Sequence, residues 1–335
     1  MSGLLTLPNI LAGAVILALN VYVLLGGADF GGGVWDLLAS GERRSRQREL
    51  IAHAIGPIWE ANNVWLIVVV VLLFSCFPLA FSRLAISLHV PLSLMLIGIV
   101  LRGSAFTFRS YGMEDDAAQA RWGRVFAIAS TATPVLLGIC LGAVATGRLP
   151  SVWNGGFVRT FVQPWLTAFG VGVGLLALAL FSFLAAVYLS VEAPDDALRD
   201  DFRRRALWAA VALFATAFGT LFLSLRTAPL MWRGLVASPF ALALQIATAV
   251  AALTAIGALW TRRYRLARGA AVAQVSLILW GWALSQYPYM IPPTLTVAGA
   301  AAPERTLALV LGVLAIGALV LLPSLSYLFR IFKAG

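Results

Sequence analysis

Charge is scarce in this sequence: 11% of its 335 residues are Asp, Glu, Lys or Arg, while 61% are hydrophobic and the mean hydropathy is +0.92. So little polar surface cannot wrap a water-soluble core of this size, which excludes a soluble globular enzyme and predicts a polytopic membrane protein. Acid is scarcer still, with 14 Asp and Glu against 24 Lys and Arg. The resulting +10 charge does not point to nucleic acid, because the arginines fall between apolar runs, where they report orientation. Cysteine is limited to Cys76 and Cys140, each inside an apolar run and without CxxC or Cys/His spacing, so neither a disulfide nor a metal site is expected. A removable signal peptide is not expected either, since the first apolar run lacks a basic flank and continues past signal length.

What is present in abundance is apolar run. A lipid-crossing helix needs about 20 mostly apolar residues, and segments near 8–38, 50–80, 84–108, 123–146, 163–190, 206–225, 239–260, 269–290 and 305–330 meet that test. Nine spans with the N-terminus outside place seventeen basic residues in cytoplasmic connections, from Arg43 to Lys333, and six on the other side, from Arg83 to Arg305. This is the asymmetry of the positive-inside rule. Connections are short; the charged segment EAPDDALRDDFRRR, Glu192 to Arg205, divides the chain after four or five spans, and a two-bundle arrangement is expected, one bundle over about residues 1–146 and the other, with an extra helix, over about 147–335.

Against that background the stretch IGPIWEANNVWLIVVVVLLF puts a glutamate inside an apolar span. About a hairpin tip near Arg44, Asp29 lies 15 residues before and Glu60 16 after; about the next turn near Ser82, Glu60 lies 22 before and Arg102 20 after. Antiparallel helices would bring Asp29, Glu60 and Arg102 to one depth. Helical spacing adds Gly26, Gly33 and Asp36 to the Asp29 stripe, His53, Gly56 and Asn63 to the Glu60 stripe, and Gly98 and Arg109 to the Arg102 stripe. Charge in hydrocarbon costs of order 2.5–3.5 kcal/mol per group, so such residues normally pair, face a bundle interior and mark a pathway. A string of titratable groups opening toward the cytoplasm reads as a proton route; a purely structural ion pair pinning three helices is the alternative. Pro57 is placed to kink the second span toward Glu60.

Redox ligands are harder to find. His53 and His89 fall near opposite ends of the spans, which excludes a bis-histidine haem between them; His53 suits the mouth of a proton path, and Met95 suits packing. Trp59 and Trp65 flank the buried polar cluster.

The segments GADFGGGVWDLL, LIAHAIGPIWEANNVWLIVVVVLLFSCFP, SLHVPLSLMLIGIVLRGSAFTFR and WALSQYPYMIPP resemble subunit II of cytochrome bd-type quinol oxidases, including the cyanide-insensitive branch. The resemblance follows the whole chain and is sharpest over residues 26–110. It implies an all-α polytopic membrane protein of two four-helix bundles plus one extra helix. It also implies a complex in the bacterial inner membrane that oxidises quinol and reduces dioxygen to water with protons from the cytoplasm. Haem b and haem d are then ligated by a partner, subunit I, and small accessory subunits, lipid and quinone are further expected partners. Asp29, Glu60 and Arg102, with Trp59 adjacent, match the family's polar membrane positions. Glu60 stands where some relatives have Asp, and Asn63 where His or Gln is frequent. The residues by themselves also admit a proton-coupled secondary transporter, with Gln245, Gln274 and Gln286 as substrate contacts, or a membrane scaffold.

Overall fold

The computed structural model describes residues 5–55, 59–111, 116–150, 153 and 155–333. The chain is an all-α polytopic membrane protein. Its helices are α1 (Leu7–Leu37), α2 (Arg44–Ile55), α3 (Trp59–Cys76), α4 (Pro78–Ser87), α5 (His89–Tyr111), α6 (Asp116–Thr146) and α7 (Phe157–Phe161), then α8 (Ala168–Glu192), α9 (Asp196–Thr227), α10 (Pro229–Ala237), α11 (Ala241–Trp260) and α12 (Tyr264–Gln286). A two-stranded antiparallel hairpin, β1 (Tyr289–Ile291) with β2 (Leu295–Thr296), a short α13 (Val297–Ala300) and the long α14 (Glu304–Lys333) complete the chain.

Among the described residues, eight helices are long and apolar enough to cross a membrane, and nine if the α3–α4 pair is one span. That pair is bent by 119°. Pro78 opens α4 and Pro229 opens α10; lacking an N–H, proline cannot continue a preceding helix but suits the first turn of a new one. The span expected over residues 50–80 is therefore three elements, with α2 a separate polar helix ahead of α3. The two ends of α9 are set by caps: Asp195 accepts from the backbone N–H groups of Ala197 and Leu198 at one end, and the Pro229 break follows the other.

Helix α1 and helix α8 form the centre, with α1 packed on α3, α6 and α8, and α8 packed on α6, α9 and α12. Small residues make this approach possible. A Cβ on Gly31 would overlap the Phe181 carbonyl of α8, one on Gly27 would lie 2.7 Å from the Phe181 ring, and the α6–α8 seam is equally close, since a Cβ on Gly138 would lie 2.5 Å from Val173 O. Trp35 Nε1 donates to Ser182 O at 2.8 Å across the same α1–α8 contact. Helix α14 lies along α1 and α3 with most of its apolar surface exposed.

The connections sort into two ends. At one, Arg43 is bound to Asp201 (2.7 Å), Arg46 to Asp195, Arg262 to Asp200 (3.0 Å) and Arg268 to Glu192 (3.8 Å), while Arg205 reaches Gln47 at 2.6 Å. The arginine-rich connections α1–α2, α8–α9 and α11–α12 thus share one side. The Asp201 hydrogen bond and charge hold Arg43 above its ordinary range, and the Leu198 N–H together with Arg46 holds the Asp195 carboxyl below its own. At the other end, Asn9 meets Tyr287 (3.3 Å), Arg83 meets Thr294 (2.7 Å), and Ala302 N–H donates to Cys76 O (2.8 Å). There Gly147 ends α6 with φ +67° against the Pro292 backbone, a conformation suited to glycine.

Candidate functional site

Helix α1 carries Tyr22, Asp29 and Asp36 at intervals of seven residues, two turns apart and therefore on one stripe. All three are buried: Tyr22 is 1% exposed, Asp29 7% and Asp36 2%. Gly26 and Gly33 lie between them. The Tyr22 ring covers Gly26, where a Cβ would sit 3.1 Å from Cε2, and Gly33 takes the side chain of Ser130 from α6 against its bare backbone. The glycines thus let neighbouring groups close over the acidic stripe.

Asp29 accepts a hydrogen bond from Asn62 Nδ2 of α3 at 2.5 Å. A hydrogen bond to a charged group is worth about 1.5–3 kcal/mol, comparable to the cost of holding a carboxylate in the membrane. Arg102, on α5, is 4% exposed, and its guanidinium carbon lies 4.7 Å from the Phe30 ring centroid and 5.5 Å from that of Phe126. Its Nε and Nη2 have no hydrogen-bond partner among the described residues. The cation is therefore held by aromatic faces, one of them that of Phe30, the residue after Asp29. Two turns along α1, about 10 Å by helical rise, Asp36 is approached by Arg48, 3.8 Å from Oδ1, which also donates to the Asp36 backbone carbonyl at 3.3 Å. A line of buried groups thus runs from the arginine-rich end to the middle of the bundle.

The residues expected from the sequence fall as follows. Arg102 lies over the ring of Phe30, the residue after Asp29, and Asn62 takes the place beside Asp29 where the stripe would have put Asn63, which is half-buried on α3. Trp59 and Glu60 open α3, but their side chains lie outside the described residues, as do Gly56 and Pro57 altogether and the side chain of Arg109. His53 is exposed on α2 at the arginine-rich end. His89 starts α5 at the opposite end, its Nδ1 2.9 Å from Ile86 O and its ring against Phe161 at 4.8 Å. The two histidines cannot hold one haem between them. Among the described residues no group of three or more His, Cys, Asp or Glu is gathered for a metal ion. Tyr22, Phe30, Phe126 and Asn62 were not singled out by sequence; the seven-residue spacing from Asp29 is the signal that would have found Tyr22.

Residues 7–332 match the family model described as cytochrome bd terminal oxidase subunit II. A curated relative, a putative cytochrome bd menaquinol oxidase subunit II from Bacillus subtilis (strain 168), is 27% identical over 191 residues, 56% of this chain and 54% of the relative. The cytochrome bd-I ubiquinol oxidase subunit 2 of Escherichia coli (strain K12) is 24% identical over 156 residues, 44% of this chain and 40% of that one. The chain thus spans about half the length of the curated relatives it matches. A chain in the structure of bd oxidase from Geobacillus thermodenitrificans superposes with a TM-score of 0.80 at 22% identity, covering 98% of this chain and 99% of that one. It shares the fold.

Proposed function

This chain belongs to the cytochrome bd terminal oxidase subunit II family, and from that premise we propose that it is the non-haem-ligating subunit of a quinol:dioxygen oxidoreductase, carrying protons from the cytoplasm through its first helices. The observation that carries this reading is the buried Asp29, hydrogen-bonded by Asn62, with the buried Arg102 lying over the ring of the adjacent Phe30. Its neighbours supply what a proton-carrying carboxylate needs: a donor that stabilises the charged form, a fixed positive charge that lowers the cost of ionisation, and a seal against lipid.

In this reading protons enter at the arginine-rich end, near His53 and Asp36, and pass toward Glu60 and Asp29. Asp29 holds the proton between steps, and Arg102 keeps the carboxylate able to release it. The oxidase cofactors, haem b and haem d, belong to subunit I, since the two histidines here sit at opposite ends. When bound there they supply the electron transfer from quinol to dioxygen. This chain's contribution is to hold that partner, to exclude lipid from the path and to move protons. The arginine-rich end faces the cytoplasm of a bacterial inner membrane, with the N-terminus outside and the C-terminus inside. Accessory small subunits and quinone are further expected companions.

The test is to purify the chain with whatever accompanies it from its native membrane, then record a reduced-minus-oxidised spectrum and quinol-driven oxygen uptake. The expected result is haem b and d bands on a second large subunit together with quinol oxidation. A haem-free preparation that is folded and complete alone would contradict the oxidase reading, and Asp29 would become the coupling site of a transporter.

A further inference from the structure

At the end of the bundle opposite the arginine-rich connections, a cavity of about 830 Å³ opens between the α6–α7 connection and the approach to α8. Arg148, Arg159, Thr160, Gln163, Leu166 and Thr167 are among the residues lining it. Both arginines are exposed, and neither guanidinium has a hydrogen-bond or carboxylate partner among the described residues. Residues 147–167 contain no Asp or Glu at all, so nothing in that connection neutralises them. The cavity also receives the N-terminal end of the 25-residue α8, capped by Thr167. Two uncompensated guanidiniums and a long helix's positive end converge on one basin, an arrangement that favours an anion.

Its position says which anion. The connection joins two membrane-crossing helices, α6 and α8, at their shared end, so the basin lies at the level where lipid headgroups begin. Leu166 in its lining, and Phe157 and Val158 just before Arg159 in the chain, are each more than half exposed, apolar surface that belongs in acyl chain or at the interface and not in water.

We infer that this cavity binds the phosphate of an anionic glycerophospholipid, gripped by Arg148 and Arg159, with the acyl chains laid over Phe157, Val158 and Leu166. The site is independent of the proton route and of the oxidase reading. A free phosphate ion would meet the same guanidiniums but would gain nothing from the apolar rim.

The purified complex, stripped of loosely held lipid, is titrated with fluorescent phosphatidylglycerol in phosphatidylcholine nanodiscs, for the unaltered protein, the Arg148→Gln/Arg159→Gln double variant and the Arg148→Lys/Arg159→Lys control. The expected result is one site whose affinity falls on the order of tenfold or more in the Gln pair and is largely kept in the Lys pair. Melting temperature, read in parallel, verifies folding of each variant. Inorganic phosphate at millimolar concentration is expected not to displace the lipid. Equal phosphatidylglycerol binding by unaltered protein and the folded Gln pair would overturn the proposal. Displacement by inorganic phosphate would overturn it as well, by showing a free-anion site.

Discussion

The helices before residue 147 and those after it bury polar groups of different kinds: Asp29, Asp36 and Arg102 in the first set, and Thr220, Ser224, Ser285 and Gln286 in the second. In the second set each hydroxyl is satisfied by its own helix, Thr220 by Thr216 O at 2.5 Å, Ser224 by Leu221 O at 2.6 Å and Ser285 by Trp282 O at 2.7 Å. Such groups ask nothing of a neighbour and cost the membrane little. In the first set Asp29 draws on α3 through Asn62, and Arg102 of α5 lies on rings from α1 and α6. Charge that must be served across helices marks a functional-site hypothesis, whereas hydroxyls folded back on their own helix are compatible with mere packing. In the proposed reading the first helices carry the protons, and the later ones pack on α8, which in turn packs on α1.

The largest effect is expected where bracing and chemistry meet. Gly31→Leu places a side chain where the Phe181 carbonyl lies, so the complex should fail to accumulate, whereas Gly257→Leu on α11, with nothing within 4 Å, should assemble at the normal yield. Membrane yield of the complex measures both; equal yields would remove the central role of the α1–α8 contact. Next, Arg102→Leu leaves the buried Asp29 without its neighbouring cation and should lower stability by about 3–5 kcal/mol, while the Arg102→Leu/Asp29→Leu pair should recover most of the loss but not turnover. Thermal melting of the purified variants separates these outcomes, and a double variant as unstable as the single one would sink the idea.

Smaller changes sharpen the contrast between the two sets. Asn62→Leu removes the donor to Asp29 and should weaken support of that carboxylate by about 1.5–3 kcal/mol, visible as slower oxygen uptake. Ser224→Ala, in the later helices, should leave uptake within about twofold, since only a bond to its own helix is lost. The smallest effect is at the arginine-rich end. Asp195 is held below its ordinary value of 3.8, first by the Leu198 N–H and further by Arg46. A depressed carboxyl stabilises the fold above its unfolded pKa and loses that contribution as pH falls through the folded one. Melting temperature should thus decline below about pH 4, and Asp195→Asn should flatten that limb while leaving neutral turnover intact.

Much of this was legible in the sequence because membrane insertion writes itself in long apolar runs. The spans expected at 8–38, 123–146, 239–260 and 305–330 correspond to α1, α6, α11 and α14 within a few residues at most ends. What escaped was amphipathic or short: the polar α2, the proline-started α4 and α10, and the hairpin after Gln286, none of which has a spanning run to betray it. Counting residues about turns set Asp29 and Arg102 in the same region of the bundle, and Arg102 lies over Phe30, next to Asp29 in the chain. The identity of Asp29's partner did not, because a one-residue difference between Asn62 and Asn63 is a rotation of the helix by about 100°, which depth counting cannot see. Phe30 and Phe126 were hidden for another reason: an aromatic residue in an apolar helix carries no mark of facing a cation.

The most direct measurement of the central claim is quinol-driven oxygen uptake by the complex carrying Asp29→Asn, with haem content and subunit stoichiometry recorded on the same sample. Asparagine keeps the shape and can still meet Asn62, but cannot carry a proton. A fall of about a hundredfold with normal assembly is the result predicted for a proton-carrying carboxylate. Uptake at the rate of the unaltered complex would contradict it, and would leave Asp29 and Arg102 as a structural clamp between helices.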